Sequence, residues 1–124
     1  MTKKTKPAGF IDLNIFNMQV AVFTTDEDRV AFMHQHGAVN AAPHDPAAIA
    51  SAHIDEMPDG SPRLSMVLKP HATTATWAHE CSHVADFVCD ILHIDLSMAT
   101  TEVRAYLVGY LMARLNDILG KDND

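Results

Sequence analysis

Between Thr74 and Leu92 the apolar residues Trp77, Cys81, Val84, Val88 and Ile91 recur every three or four positions. That spacing commits the stretch to a helix with one buried face, because residues three and four apart share a side of the helical repeat. The rest of the chain has to cover that face. Phe10, Asp12, Asn14 and Phe16 alternate with Ile11, Leu13 and Ile15, and a second run, Met18 to Thr24, is rich in Val and Phe. This period of two predicts two strands with a break near Asn17. Pro58-Asp59-Gly60-Ser61 is a strong turn signal with a short apolar run after it. Residues 48–55 and 63–69 therefore read as the two arms of a hairpin. The alternative for the first arm is a short helix opened by Asp45 and Pro46.

Two further helices complete the reading. Thr24 stands three residues before Glu27, the capping-box spacing, with Val30, Phe32 and Met33 as the apolar side and Gly37 at the end. Asp95 or Ser97 can cap a last helix that runs to about Leu119 and closes at Gly120. Its apolar stripe is Val103, Leu107, Tyr110, Leu111, Leu115 and Ile118. Beside the stripe, Ala105, Gly109 and Ala113 form a row of small residues that would let another helix approach closely. Residues 1–9 read as a flexible basic tail, 10–120 as one domain and 121–124 as a disordered tail. The expected fold class is α+β, a small sheet backed by helices.

Length and charge bound the function. A chain of 124 residues supports one domain, and 48% hydrophobic against 20% charged residues is enough for a core. Lys3, Lys4 and Lys6 are the one cluster of cations in a chain of net charge -7, which disfavours nucleic acid as a partner. No apolar run is long enough to span a bilayer, and Asp12 and Asn14 interrupt the single candidate for a signal sequence. Cys81 and Cys89 lie eight apart on one helix, roughly 12 Å of rise, too far for a disulfide. Two reduced thiols and no leader predict a cytoplasmic protein.

The chemistry concentrates in His79-Glu80-Cys81-Ser82-His83, an HExxH sequence. At i and i+4 the two imidazoles project from one face about 6 Å apart, where one ion can accept both. Glu80 lies about 100° further round, too far to be a ready third ligand but placed to reach a metal-bound water as a general base. Glu102 is the candidate third ligand. Eighteen residues separate it from His83, enough to finish one helix, turn and return along another. Two His, one Glu and an open position are the donor set of a catalytic zinc.

His79-Glu80-Cys81-Ser82-His83 followed after eighteen residues by Glu102 resembles the HExxH-x18-E pattern of gluzincin metallopeptidases, with aminopeptidase-like spacing. Thr101-Glu102-Val103-Arg104-Ala105 is similar to that group's N-E-x-x-A segment, with Thr in place of Asn. Residues 74–112 also resemble small HExxH proteins encoded by phages and prophages, through Glu102, Ala105, Tyr106, Gly109 and Tyr110. The resemblance implies a zincin-like sheet packed on the HExxH helix and a C-terminal glutamate helix. It also implies Zn2+ held by His79, His83 and Glu102, Glu80 as catalytic base, and a peptide or protein substrate. The oligomeric state stays open. Metzincins carry a Gly and a third His where this chain has Asp86 and Cys89. Thermolysin-like enzymes carry an Asp where this chain has Tyr106. Asp86 or Asp90 could orient the ligands, and Tyr106, Tyr110 or His93 could stabilise an oxyanion.

Other polar residues have plainer roles. His93 and Cys89 are alternative ligands, His93 more simply a cation at a helix C-terminus. His34 and His36 read as a solvated helix end, His53 as an exposed strand position or a cleft residue, and Trp77 as core.

Overall fold

The computed structural model describes residues 4–95, 97–98 and 100–120. The tail expected at 121–124 and the first three residues of the basic segment lie outside the described residues. The elements are β1 (Gly9–Leu13), a 3₁₀ turn (Asn14–Phe16), β2 (Met18–Phe23), α1 (Asp26–Gln35), β3 (Ala50–Glu56), β4 (Pro62–Leu68), α2 (Thr74–Ile91) and α3 (Thr101–Leu119). The fold is α+β, a four-stranded mixed sheet with three helices.

The strands lie in the order β1-β2-β4-β3. β1 and β2 pair antiparallel from Gly9↔Val22 to Leu13↔Met18, and β3 and β4 form the expected hairpin from Ala50↔Leu68 to Glu56↔Pro62. β2 and β4 are parallel, Val20↔Leu64 through Phe23↔Val67. A parallel pair cannot be joined by a tight turn, and α1 with the 36–49 connection and β3 makes the crossover. The first strand is shorter than its alternation suggests. After Leu13 the chain tightens into the 3₁₀ turn, and Asn17, with φ 55°, takes the left-handed conformation that reverses it.

Each face of the sheet has its own core. Ile11, Val20, Val22, Leu64, Met66 and Leu68 pack against α2 and α3 through Trp77, Val84, Val88, Leu107, Leu111 and Leu115. On the other face Ala21, Phe23 and Val67 meet Phe32 and Met33 of α1. β2 and β4 are central, so successive residues of both are buried, while the edge strands are buried on one side better than the other.

Local signals account for the helix ends. The α1 cap is Thr25, one residue later than expected, and its hydroxyl accepts from the Asp28 amide at 3.1 Å. Thr73 caps α2 by accepting from the Thr76 amide, and Gly120 closes α3 with φ 63°. α3 starts at Thr101, later than either predicted cap. Thr100 Oγ1 donates to the Asp95 carbonyl and accepts from the Ser97 amide, so Asp95, Ser97 and Thr100 are tied together just before α3. The basic segment is partly tied down: the Ala8 amide donates to the Val22 carbonyl, and Thr5 exchanges hydrogen bonds with the Gln35 side chain.

Gly37 is the tightest point behind α1. Its φ is +95°, and a Cβ there would stand 2.6 Å from Pro58 Cγ. Gly37→Ala adds a strained backbone to that clash, and about 2–4 kcal/mol of lost stability is expected. A urea melt reads it directly, and an unchanged midpoint would mean that the Pro58 loop moves aside freely.

Candidate metal centre

α2 presents His79 and His83 on its outer side. Both are exposed, their rings are 4.7 Å apart and nearly perpendicular, and Nε2 of one lies 3.1 Å from Nε2 of the other. One Nε2–H donates to the lone pair of its neighbour. A tetrahedral zinc with Zn–N bonds of about 2.0–2.1 Å holds adjacent nitrogens roughly 3.3 Å apart. The observed separation is within a few tenths of an ångström of that spacing, so a shared metal could replace the shared proton with little ring movement.

Glu80 turns toward the flank of α2 and is buried, at 7% exposure. Its charge, after burial, helps push the neighbouring Cys81 thiol up to about 12. Burial and the Asp86 carboxylate also raise Cys89. Both cysteines are free and buried in the core, where burial favours the protonated thiol.

Glu102 is not brought to the pair. It lies exposed in the first turn of α3, and nine residues at 100° each put it about 180° from the buried Leu111. The small row beside it turns outward too: Ala105, Gly109 and Ala113 are exposed, and a Cβ on Gly109 would meet nothing within 4 Å. The close helix approach predicted from that row is therefore absent. α2 and α3 pack through larger residues, Leu107 and Leu111 among them, and are clamped by Arg104 Nε on Asp86 Oδ1 at 2.7 Å. Among the described residues no three His, Cys, Asp or Glu side chains converge to hold a metal ion. The same angular arithmetic, applied to the sequence, would have placed Glu102 and the small row opposite the stripe.

The remaining candidates are spread over the rest of the fold. His93 ends α2 with φ 57°. Tyr110 donates its hydroxyl to the Asp12 carbonyl at 2.7 Å and ties α3 to β1, while Tyr106 is exposed. These two tyrosines help line an apolar groove of about 530 Å³ between β1, the 3₁₀ turn and α3, which includes none of His79, Glu80, His83 or Glu102. Asp86 is occupied by Arg104 and Asp90 is exposed. His34 Nε2 contacts the Ala41 carbonyl, His36 Nδ1 contacts the Phe32 carbonyl, and Trp77 is buried.

His53 lies on the face of the sheet opposite α2, so it does not line a cleft beside the HExxH helix. It belongs to a polar cluster that periodicity did not reveal. Arg29, in an apolar position of α1 and 1% exposed, donates from Nε to Asp26 Oδ1 at 2.8 Å and from Nη2 to the Ala42 carbonyl at 2.6 Å. Its Nη1 stands 3.5 Å from Asp55 Oδ2. Ser51, His53 and Asp55 occupy alternate positions of β3, and that polar i, i+2, i+4 pattern was the available signal.

No family model, curated protein or solved structure matches the chain.

Proposed function

We propose that the protein is a zinc-dependent hydrolase of the metallopeptidase type, with His79 and His83 as the metal-binding pair and Glu80 as general base. The Nε2 atoms 3.1 Å apart on an exposed helical face carry this reading. Bound zinc would supply Lewis acidity and a water ionisable near neutral pH. The chain's own residues do the rest. His79 and His83 bring their Nε2 atoms together on the exposed face of α2, and the buried core face of that helix holds the backbone that positions them. Glu80, the next residue along, can accept a proton at its carboxylate and return it to a leaving amine.

Elemental mass spectrometry on metal-replete protein tests the pair. About one zinc per chain is expected in the wild type, with most of it lost in both His79→Ala and His83→Ala. Zinc-free wild-type protein, or full retention in the two variants, overturns the assignment. Glu102→Ala separates two forms of the site. Loss of zinc there means that α3 shifts to bring the carboxylate round and complete a catalytic donor set.

The outward place of Glu102 favours a second reading, in which zinc is bound by the histidine pair without catalysis and the protein acts by binding another protein. Retained zinc in Glu102→Ala, with no turnover of a broad peptide library, supports it.

A further inference from the structure

The connection between α1 and β3 is fastened across the second face of the sheet at four points. The Ala41 carbonyl meets His34 Nε2 at 2.8 Å, and the Ala42 carbonyl accepts from Arg29 Nη2 at 2.6 Å. The His44 amide donates to Asp26 Oδ2 at 2.8 Å, and the Pro46 carbonyl accepts from Lys69 Nζ at 3.0 Å. The inner two fastenings converge on one ion cluster. Beneath them His53 packs its ring 5.3 Å from that of His44, edge to face, with Nε2 2.7 Å from Ser51 Oγ.

We propose that residues 38–47 form a strap that acid releases, because a proton added to His53 sets a new cation beneath the strap, beside Arg29 and His44. The groups around that proton come from each packed element. α1 brings Arg29 and Asp26, the strap brings His44, β3 brings Asp55, and β4 brings Arg63, which pairs with Asp55 in register. Asp26 favours the charge on His53, but Arg29 Nε and the His44 amide already bind that carboxylate. Burial first, then the charges of Arg29 and His44, push His53 down to about 4.

The sign follows from linkage. With the strap open, His53 is solvated and titrates at its ordinary value of about 6.5; with the strap closed it takes a proton only near 4. Closure is therefore at full strength above pH 6.5 and weakens as the pH falls, with the change complete below about 4. Release would widen the cleft of about 520 Å³ between residues 37–41 and 54–58 and uncover Ser51 and Asp55.

Amide hydrogen exchange on the full chain, corrected for intrinsic rates, reads the strap directly. Protection of the His44 amide is expected to fall by roughly tenfold per pH unit between 6.5 and 4.5, while amides of β2 hold theirs. In His53→Gln, which keeps a partner for Ser51 and cannot titrate, that dependence should vanish. A strap that tracks β2 at every pH, or an unchanged dependence in His53→Gln, overturns the proposal. Should that variant not fold, the imidazole titration of wild-type His53 by NMR decides: a midpoint near 6.5 refutes the strap, and one near 4 supports it.

Discussion

Glu80→Gln should keep about one zinc per chain and lose ~10²–10⁴-fold in peptide hydrolysis, the usual contribution of a general base. Gln has the shape of Glu and still hydrogen-bonds but takes up no proton, so the buried flank of α2 is filled as before. His79 and His83 project from the outer side of the same helix, and the substitution leaves their 3.1 Å approach untouched. The measurement pairs elemental analysis with turnover of a peptide library by wild type and variant. A fully active variant removes Glu80 from the mechanism. Joint loss of metal and activity would assign Glu80 to holding the site rather than to proton transfer.

The largest stability effect should come from the other face of the sheet. Arg29→Met keeps most of the volume in an apolar position of α1 but strips the counter-charge from Asp26 and Asp55. Burial already pushes Asp55 above the usual carboxylate range, with Arg29 opposing it. At Asp26, burial also acts upward, but the His44 amide and Arg29 outweigh it and hold that carboxyl low. Removing one partner of such a cluster leaves uncompensated charge, at a cost of about 3–5 kcal/mol. Urea denaturation at neutral pH measures it. A loss below about 1 kcal/mol would show that water screens the two carboxylates well enough without the guanidinium.

Much of the architecture was legible because the relevant rules are local. Three- and four-residue spacing located α2, Pro58-Asp59-Gly60-Ser61 located the β3–β4 hairpin, and Gly120 located the end of α3. The insertion of β4 between β2 and β3 was not legible, since strand order depends on how α1 carries the chain across the sheet. The candidate site divides the same way. Spacing i, i+4 on one helix brought His79 and His83 together. Helix angles alone place Glu102 opposite the apolar stripe, and three leucines, Leu107, Leu111 and Leu115, fix that outward place by burying themselves. Arg29 escaped because its place in the pattern is that of a hydrophobe, and two of its partners, Ala42 and Asp55, come from 13 and 26 residues further on.

The sheet that separates the two cores is also an insulator. Along β3, Ser51, His53 and Asp55 address α1, while Ala50 and Ala52 address the side of α2. The histidines and acids of one side make no side-chain contact with the HExxH helix among the described residues, and the backbone of β3 lies between them. The strand is then a wall shared by two compartments, and its stiffness sets how far they act independently.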